Sequence, residues 1–370
     1  MKIAILANKE KSFVRPLAKS LQRMLQELSV EPIIFDRGLS DIKLYPQSKN
    51  YFKKQLIEPY RNFRFHNLIS RLKEFDAVIV VGHVPSAFMK YFMRDDLLRQ
   101  LLPDTPVILY DLVYLPTRGS WAKYLKEGNP EYGISERGHF GLERYDYYLC
   151  VSVVSENPLP EGSHPYSLIG VNLDDGTLYP EQKNEFIALL DFERSDHLEE
   201  RKIQLEALQE TNTKYIKLVG SYPISKIREI YRKCSMYFIA HRESFGLPIC
   251  EVQACGGYIF TPYSNWCPSH WIKEDLKIPG TGALSSNFIV YENSKQKLIE
   301  EIIKVKSQFN PNEVRRTFFK YHPQLFYGNI KELEKFIEML KNSKIHSKSH
   351  ESYHSLIPNS EKLSLTNKAN

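Results

Sequence analysis

Cysteine is scarce in this chain and shows no pairing pattern. There are five, Cys150, Cys234, Cys250, Cys255 and Cys267, an odd number with no C-x-x-C among them. A disulfide framework and a zinc ribbon are thereby excluded, and reduced thiols of the cytosol are the natural reading. No stretch approaches the ~20 apolar residues that a membrane-crossing helix needs. The opening MKIAILANKEK carries an apolar run too short for a secretory signal. Excess charge is slight, with 50 Lys and Arg against 44 Asp and Glu, a net +6. The basic residues are scattered along solvated helical segments without a recognition motif, which argues against nucleic acid as a partner. A mild positive excess suits a phosphate-bearing substrate or an anionic membrane surface. These absences predict a cytoplasmic protein and leave open peripheral contact with the inner membrane face. No repeat at solenoid spacing occurs.

What is present fits two α/β domains and a tail, since 370 residues exceed one ordinary core. Apolar runs of strand length occur at Met1–Ala7, Glu31–Phe35, Ala77–Val81, Pro106–Tyr110 and Tyr147–Ser152. A second series occurs at Phe186–Leu190, Tyr215–Val219, Met236–Ala240, Tyr258–Thr261 and Asn287–Tyr291. Helical periodicity lies between them, at Phe13–Leu28, Phe63–Lys73, Glu199–Glu210, Ile224–Cys234, Pro248–Cys255 and Lys295–Gln308. Alternating strands and helices predict parallel sheets, and continuous Val/Ile runs predict strands buried on both faces. The break between halves falls in the Pro-, Gly- and Asn-rich Ser155–Pro180. The predicted organisation is one Rossmann-like domain over 1–155, a second over 156–320, a terminal helix over 321–340 and a basic tail over 341–370. Five Lys and two Glu give that tail a net charge of +3, and without an apolar run it reads as disordered.

The most informative stretch is Ala240–Pro262, AHRESFGLPICEVQACGGYIFTP. A strand ends at Ala240, a short loop carries Glu243, and a helix begins near Pro248, a residue suited to the first helical turn. Free N–H groups around Phe245, Gly246 and Leu247 at the helix start form an anion site. Gly246 lets a ligand approach the backbone. Glu251, one turn inside the helix, can reach hydroxyls beside such an anion.

Glu243 and Glu251 have seven residues between them, and ESFGLPICE resembles the E-x7-E motif of retaining GT-B glycosyltransferases of the family 4 type. The order of elements around it is similar too: LVGSYPISKIREIYRKCSMYFIAHRESFG resembles the family's strand, Gly turn, helix ending in Tyr, strand and motif. Upstream, SLIGVNLDDGTLYP resembles its interdomain stretch, so the likeness runs over roughly Tyr166–Phe260. It implies a GT-B fold, two doubly wound domains facing across a cleft, with a nucleotide-sugar donor on the C-terminal domain. An acceptor of unidentified kind (glycan, lipid or small molecule) would bind the N-terminal one. It implies Glu243 beside the donor sugar, Glu251 on the ribose hydroxyls, and backbone N–H groups of Phe245, Gly246 and Leu247 on the sugar or diphosphate. Arg194 matches the family's diphosphate-binding Arg. The usual partner Lys is absent, Glu199 standing there, and Arg201 or Lys202 is the candidate substitute. Transfer with retention of configuration is the implied reaction. No cofactor and no metal are implied: no two Asp stand two residues apart, so the D-x-D grip of the other large glycosyltransferase fold is missing.

Blander readings stand beside these. Without the resemblance Glu243 reads as a helix-start charge and Glu251 as a surface helix residue, and with it the functional reading is preferred; Arg194 reads equally as an ion-pair partner. His83 and Asp111 follow strands without a clear role, and Trp266 and Trp271 suit core packing. Two other functional classes fit the departures from the motif: a non-catalytic sugar-nucleotide or glycan-binding protein, and an epimerase acting on the nucleotide sugar itself.

Overall fold

The computed structural model describes residues 1–7, 14–35, 67–82, 98, 101–114, 145–153, 166–182, 185–239, 243, 245–263, 267–274 and 282–345. It divides into two compact units: Met1–Val171 with the segment from Asn329 onward, and Asn172–Gly328.

The first unit is built on six parallel strands in the order β2-β1-β3-β4-β5-β6. These are β1 Lys2–Ala7, β2 Glu31–Phe35, β3 Ala77–Val81, β4 Val107–Tyr114, β5 Tyr147–Val153 and β6 Tyr166–Leu168. Every residue of AVIVV in β3 is buried, as a strand covered on both faces requires. Helix α1, Val14–Glu27, turns Val14, Leu17, Leu21, Met24 and Leu25 inward at helical spacing. The short β6 falls inside the stretch expected to be a break. Its three residues YSL are too few for a pattern, and pairing with β5 is what makes them a strand.

The second unit carries five parallel strands in the order β13-β10-β9-β7-β8. They are β7 Ile187–Leu190, β8 Lys214–Lys217, β9 Met236–Phe238, β10 Tyr258–Thr261 and β13 Phe288–Val290. A two-stranded antiparallel pair, β11 Lys273–Glu274 and β12 Gly282–Ala283, was not foreseen from sequence. The helices are α2 Leu198–Glu210, α3 Ile224–Lys233, α4 Leu247–Ala254, α5 Lys295–Ser307 and α6 Pro311–Tyr321. Ala188, Leu190, Met236, Phe238 and Phe260 from the strands meet Ala207, Leu208, Leu298 and Ile302 from α2 and α5 in one core. Helix α6 is also additional to the sequence reading. Asn310 caps it by accepting from Asn312 and Glu313 N–H groups, and Pro311 opens it.

The terminal helix expected over 321–340 is divided. A 3-10 turn covers Pro323–Leu325, and α7 runs over Ile330–Lys341 from an Asn329 cap. Phe336 of α7 packs on Tyr147 of β5, with ring centroids 5.4 Å apart, inside the first unit. The described chain ends at Ile345, which is buried. The rest of the predicted tail lies outside the described residues, as do His83 and Trp266. Among the described residues, no helix is long and apolar enough to cross a membrane.

Candidate functional site

The strand order of the second unit reverses at β7. The chain leaves β7 for β8 on one side, then crosses back through α3 to β9 on the other. Such a switch point, at the carboxyl ends of parallel strands, is where open α/β sheets bind ligands. Leu190 and Phe238 are in register there. The residues that follow them are Asp191 and Arg194 after β7 and the Glu243–Leu247 loop after β9.

Helix α4 grows from that loop. Leu247, Ile249, Cys250, Val252 and Ala254 are all buried, so this short helix is a core element apolar nearly all round. It starts at Gly246 with no side chain capping it. It closes at Gly256, whose φ of +77° and the backbone of Pro311 against its α-carbon both demand glycine. Phe245 is buried with its ring stacked on His270 at 5.9 Å, so only its backbone is available to a ligand.

Gly246 has a φ of −135° and ψ of 128°, an extended conformation open to any residue. Its need for glycine is spatial. A Cβ there would lie 2.6 Å from Cδ and 2.7 Å from Oε2 of Glu243, with Oε1 nearer still. What occupies the space beside the Gly246 α-carbon is therefore the Glu243 carboxyl group itself. Burial, and the negative charge of Asp191 next, push the Glu243 carboxyl up to about 8, against the pull of Arg194. Near neutral pH it holds its proton and can donate a hydrogen bond as well as accept one.

Asp191 is a further candidate, which the sequence does not mark and whose charge acts on Glu243. Its Oδ1 accepts from the Phe192 N–H at 2.8 Å, and the buried Tyr237 hydroxyl on β9 bonds its carboxylate. Burial raises its pKa, and these bonds and nearby Arg201 oppose the rise. No motif marks it, because its importance comes from the strand order that brings β7 beside β9.

The two candidate cations near α2 point in opposite directions. Arg201 is 3% exposed and donates from Nη2 to the Asp191 carbonyl at 2.7 Å, while its buried Nε and Nη1 have no hydrogen-bond partner among the described residues. Lys202, the next residue, is exposed. Arg194 forks onto Asp196, Nε to Oδ1 and Nη2 to Oδ2, both at 3.3 Å.

Glu251 is not the surface residue of the blander reading. It is 7% exposed, and Arg228 of α3 donates to its Oε1 from Nε at 2.9 Å and pairs through Nη2 at 2.8 Å. Both bonds fall on Oε1 and leave Oε2 to accept from a ligand. Burial raises the Glu251 pKa and Arg228 lowers it in opposition. A buried carboxylate without that guanidinium would cost several kcal/mol. Among the described residues, no group of three or more His, Cys, Asp or Glu is placed to hold a metal ion.

Neither a family model nor a curated protein matches the chain. Solved structures do. Anabaena HepE, crystallised with UDP-glucose, superposes with a TM-score of 0.50 over 92% of this chain and 100% of that one, at 11% identity. The fold is GT-B. Staphylococcus aureus MnaA, solved with UDP, aligns over 92% of this chain and 96% of that one, at 15% identity and a TM-score of 0.49. Within the GT-B plan, the β7/β9 switch point and α4 belong to the second Rossmann-like domain, and the candidate residues Glu243, Gly246 and Glu251 all lie in that domain.

Proposed function

We propose that this chain is a glycosyltransferase that moves a sugar from a nucleotide-sugar donor to an acceptor with retention of configuration. One observation carries the reading: Glu243 rests against Gly246 at the start of α4, over the switch point, and Glu251 presents Oε2 one turn further along the same helix. The spacing suits a ligand with a sugar at one end and a ribose at the other, and UDP-glucose, the ligand of HepE, has that form. Glu243 stands beside the sugar ring, and Glu251 accepts from the ribose hydroxyls. Backbone N–H groups of Phe245, Gly246 and Leu247 face the diphosphate, where helix-start donors stabilise the charge that develops on the leaving group. Arg194, whose charge acts on Glu243, supplies positive charge to the diphosphate by exchanging Asp196 for phosphate. Arg201 acts one layer behind, holding the Asp191 backbone, and Lys202 takes no part. The reading invokes no metal and no other cofactor.

A second reading, a sugar-nucleotide-binding protein without turnover, is favoured by the state of the cations: Arg194 is bound to Asp196 and Arg201 is turned inward. A panel of UDP-, GDP- and ADP-sugars separates the two. A ligand of the folded state raises the melting temperature, and chromatography then reports nucleoside diphosphate. Transferase function is expected to show slow release to water and faster release with acceptor. Binding with no release and no change in the sugar supports the binding protein. A changed sugar without release indicates an epimerase. No stabilisation by any nucleotide sugar refutes the proposal.

A further inference from the structure

Arg228 is the most heavily engaged guanidinium among the described residues of the second unit, and the function above uses it for nothing. It is 5% exposed, in the middle of α3. Besides its two contacts to Glu251 Oε1, its Nη1 donates to Asp175 Oδ2 and, at 2.8 Å, to Thr177 Oγ1. Asp175 Oδ1 in turn accepts from the Thr177 N–H at 3.1 Å and from its hydroxyl at 2.6 Å. The segment after Asp175 is held from the same side. Arg232, one turn along α3, donates to Glu181 Oε1 at 2.5 Å and to the Thr177 carbonyl at 2.8 Å. Arg315 of α6 donates to the Leu178 carbonyl at 2.7 Å.

A surface ion pair would need none of this. Two carboxylates from distant parts of the chain share one guanidinium, which the fork of Arg allows and the point charge of Lys does not. The arrangement fixes both the position and the rotation of the Glu251 carboxylate. Oε1 is committed to Arg228, so Oε2 is turned outward at a constant angle. A pair of vicinal hydroxyls is recognised well only by an acceptor held in this way, because orientation is then settled before the ligand arrives. We infer that Arg228 is a positioning residue for a vicinal-diol subsite at Glu251, and that Asp175 and Thr177 are its anchor.

The inference rests on the nucleotide-site reading of Glu251, and its test separates the two. Two probes are compared by calorimetry: the nucleoside diphosphate that binds the wild-type protein best among UDP, GDP and ADP, and its 2′,3′-dideoxy counterpart. Charge-assisted hydrogen bonds to the diol should give the wild-type protein at least a ~10-fold preference for the normal ribose. In Arg228→Gln that preference should fall to within about threefold, because Glu251 is present but no longer oriented. Arg228→Lys should recover only part of it. A loss of packing alone would weaken both probes equally and leave the ratio unchanged. Asp175→Asn removes the anchor from a part-exposed position without touching Glu251. It should lower the preference in the same direction by less, and it carries the test if Arg228→Gln does not fold. A ratio as large as that of the wild type in Arg228→Gln, or in Asp175→Asn where only that variant folds, overturns the role of Arg228. A wild-type protein that binds the dideoxy probe as tightly as the normal one overturns the ribose reading itself, as does one that binds no nucleoside diphosphate.

Discussion

Replacing Gly246 by Ala should displace the Glu243 carboxyl group, which the proposed function places beside the donor sugar, because the three atoms nearest to a Cβ at 246 all belong to it. The backbone at φ −135° and ψ 128° accepts alanine without strain. The new methyl would lie 2.6 Å from Glu243 Cδ, whereas ordinary contact begins near 3.4 Å. The Glu243 carboxyl group, the far end of a flexible side chain, therefore swings aside by roughly 1 Å, a displacement that costs on the order of 100-fold in rate when the group borders the reacting centre. That factor is about 2.7 kcal/mol of transition-state stabilisation. Stability should change little. Ala is poorer than Gly at a helix N-cap by up to about 1 kcal/mol, and the stiffer unfolded chain offsets about 0.4–1 kcal/mol of that. The assay is steady-state transfer with the donor identified by the panel, together with nucleoside diphosphate affinity and a melting curve. Expected are a large fall in kcat, an affinity for the diphosphate within about threefold of wild type, and a melting temperature within a few degrees. A cycle with Glu243→Ala completes the test, because two changes that act through one group are not additive. In the Glu243→Ala background, Gly246→Ala should have almost no further effect. Wild-type turnover in Gly246→Ala would refute the placement of Glu243. A full second loss in the double variant would show instead that the ligand itself needs the space at Gly246.

Glu243 also sets a pH dependence. Its folded-state pKa lies near 8, above the ordinary carboxyl range, so the folded protein holds more protons than the unfolded chain between about pH 4.5 and 8 and loses stability as pH rises through that window. Glu243→Gln should flatten this fall, read as the difference between wild-type and variant melting temperatures from pH 5 to 9; parallel curves would refute the raised pKa of this carboxyl. Glu251→Gln should weaken nucleoside diphosphate binding by roughly 1.5–3 kcal/mol. It should also lower the melting temperature by several degrees, because among the described residues Arg228 keeps only Asp175 as a charged partner; unchanged affinity in calorimetry would reject the ribose role. His270 is fully buried, both ring nitrogens lack a hydrogen-bond partner among the described residues, and burial beside His322 holds its pKa well below the ordinary value. A base depressed in the folded state adds stability that is complete above its unfolded pKa and disappears as pH falls. His270→Phe, an apolar ring among Phe245 and Phe288, should therefore raise the melting temperature and make the acid limb shallower. A lower melting temperature at pH 7 would show that the imidazole has a partner in solution.

The sequence by itself determined those features that are local. Continuous apolar runs such as AVIVV mark buried parallel strands because both faces of such a strand are covered. The order strand, loop, Pro-initiated helix, Gly-Gly around Glu243–Gly257 places the motif at a strand-to-helix junction, because caps and turns depend on neighbouring residues. Where local signals conflicted, the reading lost elements. Pro311–Tyr321, which the sequence analysis leaves without an element, forms α6, and Tyr166–Leu168 is too short to be seen without its partner strand. Only the tertiary structure decided which strands are neighbours, and with that the position of the switch point and the presence of Asp191 beside Glu243. It alone turned Arg201 inward and Lys202 outward, a difference that two adjacent basic residues cannot express in sequence. It showed that glycine at 246 leaves room for the Glu243 carboxyl group and is not demanded by the backbone conformation. The partners of Glu251 follow the same rule. Arg228 lies 23 positions away along the chain, and Asp175 lies 53 from Arg228. Charges so far apart carry no pattern until the packing of α3 on α4 brings them within hydrogen-bond distance, and burial then makes the pairing obligatory.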